Sequence, residues 1–253
     1  DIRPVYSPLD ALQIACDNPE KETVFLAVGF ETTAPGIASV VRDARARKKR
    51  NFSVYCSNKT VPPAIKSLLE AKEIKIDGFL CPGHVSSIIG SRPYRFVCRD
   101  FGIPCVIAGF EPVDILETVK MLVLQIQERR PCVEIQYKRA VRESGNVRAQ
   151  EMMKNVFVAS DADWRGLGTI PGSGLALAKD YRRFDAAEKF DMPRVRSAEP
   201  ANCMCGEVLR GVKTPPQCRL FAKACNPENP FGPCMVSSEG ACSAWYKYNR
   251  QDG

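Results

Sequence analysis

Six thiols stand in the last 51 residues of this 253-residue chain, at Cys203, Cys205, Cys218, Cys225, Cys234 and Cys242. The stretch CNPENPFGPCMVSSEGAC, residues 225–242, sets three of them among three prolines and two glycines, text too irregular for a helix or a strand. An iron–sulfur cluster asks for this composition: four thiolates must converge on a compact inorganic core from backbone that bends freely, which Gly and Pro allow. Such a centre is anionic, and Arg210, Lys213, Arg219 and Lys223 flank it in sequence, placed to offset the charge and tune the potential. Zinc is the direct rival, because four thiolates also serve a tetrahedral structural site. Structural zinc sites usually pair their cysteines in C-x2–4-C knuckles, however, and the only close pair here is Cys203-Met204-Cys205. Spacing therefore favours a cluster over zinc, with disulfides third. The other six of the twelve cysteines (Cys16, Cys56, Cys81, Cys98, Cys105, Cys132) are scattered through apolar text and read as small buried hydrophobes.

A second group of polar residues sits where strand-like text gives way to helix-like text. Gly29-Phe30-Glu31 is followed by Thr32, Thr33 and Pro35; Gly109-Phe110-Glu111 is followed by Pro112; Cys81-Pro82-Gly83-His84-Val85-Ser86 forms a third junction and contains the one histidine. The plain reading is that Gly turns the chain and the acidic or hydroxyl residue caps the helix. The alternative is a lined crevice at the carboxyl ends of parallel strands, where ligands of such sheets bind. Glu31 and His84 are its candidate proton-handling groups. The glycine-rich run Gly166 to Gly174 is not a nucleotide loop: Pro171 stands where a dinucleotide fingerprint needs its third glycine, and no Gly-Lys-Ser/Thr follows. It reads as a turn and loop shaping one wall of a site. No Ser-His-Asp or Cys-His triad can be assigned.

The elements that must position these groups alternate. ETVFLAVGF, FSVYCSN, IDGFLCPGH and IPCVIAGF read as buried strands, and the text between them as helices, the one around Arg92 broken by Pro93. Continuous apolar strands separated by helices predict a doubly wound, mostly parallel α/β sheet with helices on both faces. The expected organisation is an α/β domain over residues 1–130, a mixed helical connecting region over 131–195, and a small irregular cysteine-rich iron–sulfur module over 196–253. Hydrophobic content of 45% supports an ordinary core. No apolar run reaches the length of a membrane helix and the first residues lack a secretory pattern, so a cytoplasmic location is expected. The net charge of +7 owes much to RDARARKKR, residues 42–50, which lacks the aromatics of a nucleic-acid surface and suits the cationic C-terminal end of a helix.

The tail from Cys203 to Tyr248, together with GFETTAP, CPGHVSSIIG and IPGSGL upstream, closely resembles the HypD family of hydrogenase maturation factors. The resemblance runs from about residue 5 to the end. It implies a 4Fe-4S cluster on cysteines spaced C-x14-C-x6-C-x16-C, which here are Cys203, Cys218, Cys225 and Cys242, and a redox-active dithiol formed by Cys205 and Cys234. It further implies assembly of the Fe(CN)2CO centre of nickel–iron hydrogenases as a redox-active scaffold rather than a turnover enzyme. The partners would be HypC, the cyanide donor HypE and, indirectly, the hydrogenase large subunit; the cargo would be iron with its cyanide and carbon monoxide. The reading from another class is an iron–sulfur-dependent thiol oxidoreductase acting on a protein disulfide. The family's Cys-Gly-Gly-His and Gly-Cys-Pro-x-Cys elements, which handle the iron, have no counterpart in this chain. A missing first α/β segment and exposed apolar surface are the expected corollary.

Overall fold

The computed structural model describes residues 1–71, 73–192 and 202–249. Helix α1 (Pro8–Asp17) starts where the sequence places it: Ser7 Oγ accepts from Leu9 N, Asp10 closes the capping box on Ser7 N, and Pro8 occupies the first turn. Strand β1 (Thr23–Ala27) leads into α2 (Ala34–Ala46), then β2 (Phe52–Cys56) and α3 (Val61–Leu69). Next come β3 (Phe79–Pro82), α4 (Gly83–Ile89), a single 3-10 turn at Arg92–Tyr94, α5 (Arg95–Phe101) and β4 (Cys105–Ala108). The break around Pro93 is thus a turn between two short helices. Helix α6 (Pro112–Gln127), β5 (Val133–Ile135) and α7 (Val147–Val156) follow.

The α/β expectation holds, with parallel strands flanked by helices. They are hydrogen-bonded as two sheets, β1 with β2 and β3 with β4 with β5, all neighbours parallel. A parallel neighbour needs a crossover, and helices α2, α5 and α6 supply it between paired strands. Helix α2 buries Ile37, Val40, Val41 and Ala44, spaced one turn at a time, in a core shared with Leu12, Phe52, Val54, Phe157 and Phe184. The basic run ends this helix as expected, Arg47 pairing with Asp43 one turn back.

One expectation fails. Residues 168–177, read as a loop because of their glycines, are a strand, β7 (Gly168–Leu177), paired with β6 (Phe157–Trp164) through a turn too short for anything but an antiparallel hairpin. Gly168 and Gly172 take φ of +76° and +64°, so they kink the strand without ending it.

Two compact units emerge. The first is Asp1–Ala64, Asp77–Ala162 and Pro171–Arg194, and contains both parallel sheets; the second is Ile65–Ile76, Asp163–Ile170 and Val195–Gly253. The boundary expected near residue 196 lies outside the described residues. The described helices lying wholly within the second unit are short, α9 (Cys205–Leu209), α10 (Pro233–Val236) and α11 (Ala241–Tyr248); α8 (Ala186–Lys189) belongs to the first. Among the described residues no helix is long and apolar enough to cross a membrane.

Strand β4 is buried on both faces, but β1 is not: Val24, Leu26 and the following Val28 face outward, with Leu26 63% exposed. Helix α6 likewise exposes Val113, Leu116, Val119, Val123 and Ile126, a stripe with steps of three and four residues. Exposed stripes of this kind drive association. Leu26→Thr combined with Leu116→Gln is expected to reduce self-association and dye binding in light scattering and fluorescence, with the melting temperature unchanged. A lowered melting temperature would show that these side chains support the fold instead.

Candidate functional site

The three polar junctions lie at the carboxyl ends of β1, β3 and β4, all in the first unit. In the first, Gly29 has φ of +130°, which only glycine takes without strain, and swings the chain so that Glu31 points inward, 2% exposed. Glu31 Oε1 accepts from Val61 N at 2.9 Å, while Oε2 is buried without a hydrogen-bond partner. Burial pushes its carboxyl above the usual range, against the pull of backbone hydrogen bonds from Glu31 N and Val61 N. Around it, Asn58 Nδ2 donates to Thr33 Oγ1 at 3.0 Å, Lys59 N to Gly29 O and Thr60 N to Ser173 O. The strand that the IPGSGL text forms therefore backs this junction, as the wall expected of a loop.

At the second junction Gly83 is packed so tightly that an added Cβ would lie 2.2 Å from Ala108 O. Cys81 is buried, Ser86 Oγ donates to Pro82 O at 2.7 Å, and His84 is exposed with its ring stacked on Phe110 of the third junction, centroids 4.0 Å apart. The two Gly-Phe-Glu copies differ in use. Glu111 is exposed and caps α6 in a reciprocal box with Asp114, the plain reading, whereas Glu31 is buried and accepts instead from Val61 N at the start of α3. Asp114 holds a bidentate pair with Arg139 and accepts from Gln136 Nε2 at 2.9 Å, and Gln136 Oε1 accepts from Gly109 N. The Arg139 guanidinium and then Gln136 hold the Asp114 carboxyl well below the carboxylate range.

Tyr94, fully buried, supports the second junction. Its hydroxyl lies 3.1 Å from Ser86 Oγ, and burial raises its pKa with further upward pressure from Cys81, Glu31 and Cys105. Those cysteines are not scattered in space. The register pairs Cys105 with Phe79, two residues from Cys81, so both point to one face of neighbouring strands. Cys98 of α5 hydrogen-bonds Cys105, which hydrogen-bonds Cys81 in turn; the bond to Cys105 raises the Cys98 pKa, and the bond to Cys81 raises that of Cys105 against the downward pull of Cys98. Sequence reasoning missed this row because strand register and helix docking set it, and neither is written locally.

The second unit gathers the C-terminal thiols. Cys205, Cys225, Cys234 and Cys242 share a buried core with Val208 and Met235, and Cys203, Phe231 and Tyr246 pack against it. Cys218 is buried, and its charge is felt by Cys203 along with those of Cys205 and Cys225. Cys234 donates to Cys242 Sγ at 3.2 Å. Its hydrogen bond with Cys205 pulls the Cys234 thiol down, but the bond to Cys242 and burial together push it up to about 12. Gly232 makes room for the group: a Cβ there would lie 2.6 Å from Cys203 Sγ. Phe231 N donates to Cys225 Sγ at 3.4 Å. Among the described residues no three metal-binding side chains surround one point. The donor chemistry, thiols alone on irregular backbone with main-chain N–H support, suits an iron–sulfur cluster or zinc.

These features define an α/β protein whose C-terminal module is a core built of thiols. The chain matches the family described as "Hydrogenase formation hypA family", HypD, over residues 1–249 and belongs to it. It is 50% identical over 257 residues to hydrogenase maturation factor HypD2 of Bradyrhizobium diazoefficiens, covering 99% of this chain and 68% of that protein. Hydrogenase maturation factor HypD of Escherichia coli is 48% identical over 253 residues, 100% of this chain and 68% of the relative. That of Cupriavidus necator is 49% identical with the same 68% coverage of the relative.

Two substitutions test the crevice with opposite signs. The fold favours neutral Glu31, so its stabilising contribution is complete below about pH 4.5 and lost as pH rises through its raised folded value. Glu31→Gln keeps the acceptor for Val61 N, and the variant should melt higher than the parent at pH 7, the gap closing toward pH 4. Asp114 contributes fully above its ordinary value of 3.8 and loses this as pH falls through the lowered one. Asp114→Asn should lower the stability read from urea melts at pH 7, and lower it less below pH 4. Equal gaps at both pH values would contradict either assignment.

Proposed function

We propose that this chain acts in the maturation of nickel–iron hydrogenases, as a redox-active scaffold on which the Fe(CN)2CO centre is assembled. The observation that supports it most is the packing of five of the six C-terminal thiols into or against one buried patch, with Cys218 also buried, in a chain whose relatives are called hydrogenase maturation factors. Cys203, Cys218, Cys225 and Cys242 would hold a 4Fe-4S cluster, which supplies single electrons when bound. Cys205 and Cys234, whose thiols touch each other, would form the dithiol, and its disulfide would exchange two electrons with the cluster one at a time. Gly232 leaves Cys203 the room it needs, and Phe231 N supports the charge on Cys225.

In the first unit, the crevice of Glu31 and His84 would face the iron cargo while cyanide and carbon monoxide are added. Glu31, buried with one unpaired oxygen and a carboxyl that burial makes a weaker acid, suits a group that takes up or gives a proton to a changing neighbour. His84 is exposed and held flat against Phe110, so its ring keeps one orientation at the mouth. The work would take place in the cytoplasm, where thiols stay reduced, with HypC as the complex partner and HypE as the cyanide donor.

Anaerobic purification, an optical spectrum, and iron, sulfide and zinc analysis of this chain and of Cys218→Ala test the reading. The expected result is a brown protein with iron equal to sulfide, both lost in the variant. Gly232→Ala, whose backbone is free of strain, should lower the iron content as well. A colourless protein with stoichiometric zinc would remove electron transfer and leave the α/β description standing. Turnover as a reductase of several unrelated protein disulfides, without HypC binding, would favour the thiol oxidoreductase instead.

A further inference from the structure

The second unit contains a cavity of about 410 Å3, lined by Ser67 and Ala71 beside the turn formed by Gly166 and Gly168, and by Gly206 and Arg210. Its glycines are not interchangeable with other residues. Gly166 and Gly168 have φ of +85° and +76°, and a Cβ on Gly206 would lie 2.7 Å from Gly166 O. The bare turn lies against the dithiol: a Cβ on Gly166 would sit 3.4 Å from Cys205 Sγ. Cys205 is only 3% exposed, so a protein loop would have to displace this turn to reach it, whereas a small molecule needs only the gap a missing side chain leaves. Arg210 marks the same cavity with charge. Its Nε donates to Gly206 O at 3.2 Å, one peptide from Cys205, and a terminal nitrogen reaches Glu73 O at 3.4 Å. Both acceptors are carbonyls, and among the described residues no carboxylate pairs with it.

We propose that this cavity is the port through which a small thiol bearing a carboxylate, of the glutathione class, reduces a Cys205–Cys234 disulfide. This rests on the dithiol reading of the preceding subsection. Arg210 takes the carboxylate in its planar fork, which turns the ligand's sulfur toward Cys205. The ligand thiolate attacks Cys205 Sγ, the bond to Cys234 breaks, and Cys234 leaves with the electron pair and takes up a proton. A second ligand thiolate then attacks the ligand sulfur of the mixed disulfide, freeing Cys205. Two thiols become one disulfide, and the protein gains two electrons and two protons. A volume of this size accommodates a tripeptide-sized ligand.

The test compares thiols of opposite charge on the full chain. The protein is oxidised, and the reduction of the Cys205–Cys234 link by 3-mercaptopropionate, glutathione and cysteamine is followed by alkylation and peptide mass mapping. The parent should favour the anionic thiols over cysteamine, and Arg210→Glu should shift that ratio by about tenfold or more toward cysteamine. Arg210→Met should give an intermediate ratio. Because each ratio is taken within one protein, a general loss of stability cancels. A disulfide that forms normally, with the same ratio in parent and both variants, would overturn the port while leaving the dithiol intact. Failure to form any Cys205–Cys234 link would overturn the dithiol reading and the port with it.

Discussion

Parallel pairing is the constraint on which the rest of this structure depends. When β1 pairs with β2, and β3 with β4 and β5, in one direction, the carboxyl ends of neighbouring strands come out side by side. The chain leaving β3 turns at once into α4 and that leaving β4 soon enters α6, so the polar turn residues of these two neighbours collect along one rim. The rim is crowded, and glycine relieves the crowding where backbone meets backbone, as at Gly83 against Ala108 O. His84 meets Phe110 because their strands, β3 and β4, are neighbours.

The second unit solves a different problem with different means. Among its described residues the buried core is built largely from sulfur. Thiols pack like small hydrophobes while protonated, yet each becomes a costly buried charge when it ionises. The upward shifts at Cys203 and Cys234 express that cost. A core of this composition is stable as neutral thiols, or with a cation that takes the thiolate charge, and unstable between those conditions.

Much of this was legible in the sequence, and the exceptions have physical causes. Alternating apolar strands and capped helices identified the α/β class, because burial on both sides of a strand and a Ser or Glu before Pro are local signals. The cysteine-rich tail announced itself by composition. The strand at Gly168–Leu177 did not, since its glycines follow turn chemistry while its pairing with β6 follows from tertiary context. Nor was it visible that the two Gly-Phe-Glu copies would diverge; the difference between a buried Glu31 and an exposed Glu111 lies in what packs above each turn. The division of the strands into two sheets was equally hidden, because strand text names no neighbour.

The row of thiols from Cys205 through Cys234 to Cys242 has a direction, each member donating to the next. A row of this kind behaves as a short wire. Withdrawing the proton from its far end turns Cys242 into a stronger acceptor and tightens the bond from Cys234, which in turn tightens the bond from Cys205. The whole row can then reverse polarity through the movement of hydrogens alone, with every heavy atom in place. A change in charge at one end is therefore felt at the other as a change in acidity, over a path that needs no conformational change.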